Sequence, residues 1–234
     1  MPIRPELLRP LTRLNLEKLP VAIAFLDAPP AGLRRVDRAR AAGCGYWKQA
    51  SDGEAFYTTD ADHQNCPVGA FTHGVTLPPA VAEELQSLVG TMIQLQYLRS
   101  EEVAAIPHRG EAMKIAAYAP IGAATFEPDV VIFRGNARQI MLISEAARAA
   151  GAFGTEMTMG RPACAVIPQA IATSGGMASV GCIGNRVYTE LEDDELYVAL
   201  PGAAVRPMLE SLDTIVTANL ELEAFHRQRA GTLS

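Results

Sequence analysis

No run of about 18 uncharged apolar residues occurs in this chain of 234 residues, so no segment is expected to span a membrane. The opening stretch MPIRPELLRPLTRLNLEKLP carries arginine, glutamate and proline where a secretory leader would carry an apolar core. The chain is therefore read as leaderless and cytoplasmic. Nucleotide fingerprints are missing as well. Without G-x-x-x-x-G-K-[ST], or G-x-G-x-x-G between a strand and a helix, ATP and NAD binding have no support. No G-x-S-x-G stands for a serine hydrolase. Basic residues are few. Arg34, Arg35, Arg38 and Arg40 cluster, but Asp37 interrupts them, and the net charge is −6. That group reads as one solvated helix face, and nucleic acid is not an expected partner.

Close cysteine pairs are also absent. The chain has four cysteines, Cys44, Cys66, Cys164 and Cys182, and none lies in a C-x-x-C pair. Zinc ribbons and ferredoxins draw their ligands from such tight groupings. Isolated cysteines point instead to core residues or to one site assembled from distant parts of the chain. A free cysteine is by default a small, buried hydrophobe. The local sequences argue for the site. GCG, NCPVG, RPAC and VGCIGN surround the cysteines with small residues. Such residues let backbone N–H groups approach a cluster sulfide.

A hydrophobic content of 49% provides a substantial core, enough for one domain. Four apolar or alternating runs read as strands: VAIAFLD (21–27), EAFYTTD (54–60), MKIAAYAP (113–120) and PDVVIFRG (128–135). A further strand is read in LYVALPG. Helices are predicted over Leu11–Leu19, through residues 32–50, after Pro78-Pro79, from near Ser100, over Asn136–Ala150, and from Pro207 to about residue 228. CPVGAFTHG (66–74) reads as a turn-rich loop, because Pro67, Gly69 and Gly74 break regular patterns.

The order of features repeats. In the first half an apolar strand is followed by Cys44, Gln49-Ala50, Cys66, Gly69 and a proline-initiated helix near residue 80. In the second a strand is followed by Cys164, Gln169-Ala170, Cys182, Gly184 and a proline-initiated helix near residue 207. This predicts an α/β or α+β protein formed as a single domain, 1–234, from an internal duplication. Its two pseudo-equivalent lobes cover about 20–98 and 128–217. Duplicated units pack about a pseudo-twofold axis. Such packing would gather two cysteines from each lobe around one point.

The segments GRPACAVIPQA (160–170), SVGCIGNRVYT (179–189), YVALPG (197–202) and NCPVGAFTHG (65–74) resemble the family named domain of unknown function 169, first described as archaeal and cysteine-containing. The resemblance covers roughly residues 12–217, and GRP-x-C and GC-x-GNR are its most specific parts. It implies a common architecture and brings no established reaction.

The expected function is therefore that of an iron–sulfur cluster protein, with a 4Fe-4S cluster held by Cys44, Cys66, Cys164 and Cys182 between the lobes. Zinc or haem are the alternative cofactors. Redox or cluster-assisted lyase chemistry on a small anionic substrate is expected, with a small molecule or an electron-transfer protein as partner and a homo-oligomer as a further option. Arg161, Arg186, His73 and Asn185 are the candidate substrate-binding residues. Alternatives are a carrier or sensor without catalysis, a structural zinc protein, and a metal-free thiol enzyme using His73 or Lys48 beside its cysteine. His63 and His73 bracket Cys66 as candidate ligands or acid–base groups, although loop histidines are ordinarily exposed.

Overall fold

The fold is described here from a computed structural model, for residues 5–151, 156–158 and 162–232. Its centre is a mixed sheet. The strands are β1 (Val21–Leu26), β2 (Arg34–Arg35), β3 (Phe56–Thr59), β4 (Ile115–Pro120), β5 (Val130–Asn136), β6 (Glu156–Thr158), β7 (Met177–Ser179) and β8 (Glu195–Pro201). Their order across the sheet is β2-β3-β4-β1-β5-β8-β7-β6. Helices cover both faces: α1 (Cys44–Ser51), α2 (Pro67–His73), α3 (Pro79–Gln94), α4 (Ser100–Ala104), α5 (Ala137–Ala149), α6 (Val166–Thr173), α7 (Ile183–Thr189) and α8 (Gly202–Thr232). Among the described residues no helix is long and apolar enough to cross a membrane.

The strands carry continuous apolar sequence because both faces of the sheet are buried, and successive side chains alternate between two cores. Val21 and Ile23 face α1, α2 and α6, together with Tyr118, Ile132 and Ala199. Ala22 and Ala24 face α5, α8 and the N-terminal 3-10 segment Pro5–Leu14, together with Val131, Phe133 and Leu200. Cys44 and Cys164 belong to the first of these layers, and Cys66 packs against it.

Read from either edge, the pairing senses agree. β2–β3 and β6–β7 are parallel, and every pairing between them is antiparallel. The registers agree too. Val21 pairs with Pro120 and Val130 with Pro201. The residue after each of these prolines donates its N–H to the residue before the paired valine, Ile121 to Pro20 and Gly202 to Asp129, both at 2.8 Å. At the centre Val21 faces Ile132, Ala22 faces Val131 and Ile23 faces Val130. The halves thus meet edge to edge in one continuous sheet.

Some local expectations are corrected. CPVGAFTHG holds helix α2, started by Pro67 at its first position and closed by left-handed Gly74. Gly74 cannot be replaced freely, because a Cβ there would lie 2.2 Å from the Glu111 carbonyl oxygen. Residues 32–50 are helical only from Cys44, while Arg34–Arg35 form an edge strand. The last helix starts at Gly202 and contains Pro207.

Candidate functional site

Each cysteine stands at the start of a helix on one face of the sheet. Cys44 is the first residue of α1, Cys66 caps α2, Cys164 lies in the 3-10 turn Ala163–Ala165 that leads into α6, and Cys182 caps α7. The repeated Gln-Ala pairs lie on α1 and α6, and Ala50 and Ala170 are both fully buried in the same core layer. All four thiols are free.

The thiols are close enough to act on one another electrostatically. Burial pushes the Cys44 thiol up to about 12; the Asn185 amide opposes this, and Cys66 and Cys182 push it further. Burial also raises Cys164, Thr72 opposes, and the other three cysteines add to the rise. Residues separated by as much as 138 positions in the chain thus share one neighbourhood. Among the described residues no three His, Cys, Asp or Glu side chains already form a ligand set. Burial keeps Cys44 and Cys164 protonated as they stand, and ligation would require them to lose those protons.

Cys44 and Cys164 are buried, whereas Cys66 and Cys182 are half-buried. A maleimide should therefore modify two thiols quickly in the native, metal-free protein, and all four in denaturant. Peptide mapping should find the fast label on Cys66 and Cys182. Equal rates at all four sites would overturn this account of their burial.

Buried polar groups surround the thiols. Trp47 Nε1 and both amide atoms of Asn185 find no hydrogen-bond partner among the described residues. Asn185 lies beside both the Cys44 thiol and the Tyr197 hydroxyl. Tyr197 donates to Thr189 Oγ1 at 2.9 Å, and Thr189 donates to the Asn185 carbonyl at 2.7 Å. Gly69 keeps the wall thin. A Cβ on it would lie 3.0 Å from Cys66 Sγ.

The histidines sit deeper than loop histidines do. His63 and His73 are 1% and 0% exposed, with ring centroids 5.8 Å apart. His63 also packs on Tyr46 at 4.8 Å, and its Nε2 lies 2.9 Å from Thr58 Oγ1. Burial lowers His63 to about 3, with His73 adding to the fall, and lowers His73 to about 4. Both are neutral at pH 7.

Among the other candidates, Arg161 lies outside the described residues. Arg186 donates to the Val180 and Glu192 carbonyls at 2.9 and 3.1 Å, so its guanidinium ties the ends of α7 together. Lys48 pairs with Asp52 at 2.7 Å and Glu190 at 3.4 Å. Asn65 donates to the Arg40 carbonyl at 3.3 Å. A cavity of about 330 Å³ beside α1 and Tyr188 has a lining of mixed charge, with Arg40 and Lys48 opposed by Asp52 and Glu54. Sequence reasoning missed Thr58, Thr72, Tyr118 and Tyr197 as members of this buried polar layer. For Thr58 the signal was available, since alternation in FYTT puts it on the same face as buried Phe56.

Fold and site together define a mixed α/β protein with helices on both faces of its sheet and four free cysteines at helix starts on one of them. A profile of the domain of unknown function 169 family, described as uncharacterised ArCR, matches residues 11–211, and the chain belongs to that family. Uncharacterized protein MJ0308 of Methanocaldococcus jannaschii is 26% identical over 160 residues, covering 65% of this chain and 67% of that protein. No solved structure matches the chain.

Proposed function

We propose that the four cysteines bind a thiophilic metal centre, in first place an iron–sulfur cluster, and that the chain is a cytoplasmic cluster protein acting on a small molecule or exchanging electrons with a partner. The observation that carries this reading is the mutual electrostatic contact of four cysteines drawn from four helix starts. A buried amide supports it. Buried N–H groups without acceptors are costly, and the Asn185 N–H, beside the Cys44 thiol, would find an acceptor in thiolate or sulfide sulfur. Cys44, Cys66, Cys164 and Cys182 would be the ligands, with Asn185 donating a hydrogen bond to them. A bound cluster would supply one-electron chemistry, or an open iron site acting as a Lewis acid if three cysteines ligate.

The matched pairing senses and registers of the two halves favour an internal duplication, with a pseudo-twofold axis near the Ala22–Val131 pair. On that reading Cys44 corresponds to Cys164 and Cys66 to Cys182, so one centre takes two equivalent pairs. A metal-free thiol enzyme is the weaker reading. A nucleophilic cysteine needs a lowered pKa, and burial raises Cys44 and Cys164.

Protein purified without oxygen should be brown and contain iron and sulfide in matching amounts. Single Cys→Ser changes should remove most of that iron. Colourless protein with one zinc per chain would replace the cluster by a structural zinc site. Absence of any metal after anaerobic reconstitution would end the metal-centre reading.

A further inference from the structure

We propose that His63 Nδ1 and His73 Nε2 bind one metal ion of the imidazole-preferring class, with monovalent copper the ion they fit best. Hydrogen-bond partners fix the proton positions on both rings. His73 Nδ1 lies 2.7 Å from the Gly69 carbonyl oxygen. A carbonyl only accepts, so Nδ1 carries the proton and Nε2 is a bare lone pair. Thr58 donates its own hydroxyl hydrogen to the Ala116 carbonyl at 3.2 Å. Its oxygen must then accept from His63 Nε2, which leaves Nδ1 of that ring bare. Each of these bare nitrogens is fully buried and without a partner among the described residues.

Metal-bound histidines show this arrangement. The second ring nitrogen donates to a carbonyl or hydroxyl, which fixes the ring and its tautomer. Here both rings are held in that way before any metal is present. A solitary buried histidine needs no such explanation. Two of them, with ring centroids 5.8 Å apart, leave two buried acceptors without a hydrogen-bonded donor among the described residues. Two metal–nitrogen bonds of about 2.0 Å each are compatible with that ring separation. With two imidazole donors, an ion stable in two-coordinate geometry is favoured, and imidazole suits copper. Gly43 borders the site, since a Cβ there would lie 3.5 Å from His63 Nδ1, in ordinary contact.

The site does not require the thiol centre, so the two can fail separately. The test uses the full chain with all four cysteines changed to serine, labelled with ¹⁵N-histidine, and titrated anaerobically with copper(I). One equivalent should bind. The unprotonated ¹⁵N resonances of His63 and His73 should shift together, leaving His108 and His226 unmoved. His63→Gln or His73→Asn should reduce the bound equivalent to none. If the serine variant does not fold, the wild-type chain gives the same readout, with imidazole shifts following once the thiols are filled. Absence of shifts at His63 and His73, or shifts confined to His108 and His226, would overturn the proposal.

Discussion

Gly202→Ala is expected to destabilise the protein by about 3 kcal/mol or more. A Cβ at this position would lie 1.7 Å from the Pro128 carbonyl oxygen and 2.8 Å from its carbon. Neither partner can retreat. The Gly202 N–H donates to the Asp129 carbonyl, and the adjoining Val130–Pro201 pair is the end of the β5–β8 ladder. Relief of the clash would pull α8 off β5 and loosen the core beneath Val205, Met208 and Leu209. At this size such a loss lowers the melting temperature by about 6–12 °C. Gly90→Ala is the control of opposite sign. Gly90 lies inside α3 with nothing within 4 Å of its added Cβ, and alanine should stabilise that helix by about 1 kcal/mol. Urea midpoints measure both changes. A Gly202→Ala protein within 1 kcal/mol of the parent would refute the close approach of α8 to β5.

The metal-free protein is expected to unfold on mild acidification. His63 and His73 titrate near 3 and near 4 when folded, against 6.5 in the open chain. Their folded pKa values are depressed. Below pH 6.5 the unfolded chain therefore takes up protons that the folded chain refuses, and stability falls as pH falls. The loss approaches about 1.4 kcal/mol per pH unit for each histidine, or about 5 kcal/mol for the pair by pH 4.5. That is a large part of the 5–15 kcal/mol typical of a domain. Carboxylates held low by their partners, such as Asp62 beside Arg35 and Glu195 beside Arg134, add to the loss only at lower pH. The double variant His63→Gln/His73→Asn keeps the donor positions and removes the titration. Its stability should change little between pH 6.5 and 4.5. Equal slopes in parent and variant would show that other groups control acid unfolding.

The sheet was largely legible in the sequence for a physical reason. VAIAFLD, VVIFRG and LYVALPG are buried on both faces, so they read as unbroken apolar runs. The α3 and α5 helices were legible from Pro79 and from Gly151. The short helices at the site were not. α2 has only seven residues and contains Gly69, and its proline, which reads as a breaker in the sequence, starts the helix. Propensity is weak over so few residues, and packing onto the sheet decides. The small neighbours single out the cysteines in the sequence, and the expectation that they gather at one point rests on the ordered repeat. The buried histidines could not be foreseen, because their position depends on Thr58 and Tyr118, which come from strands β3 and β4.

The arrangement of the sheet also bears on biosynthesis. Of the described strands β1 is made first, but its partners are β4 and β5: Val21 pairs with Pro120 and Ile132. At roughly 5–20 residues per second, the ribosome needs several seconds more to deliver them. Throughout that interval the VAIAFL segment has two unpaired edges and no cover. Contacts so distant in sequence make for slow folding, and the nascent first half is the part of this protein with the greatest need of a chaperone.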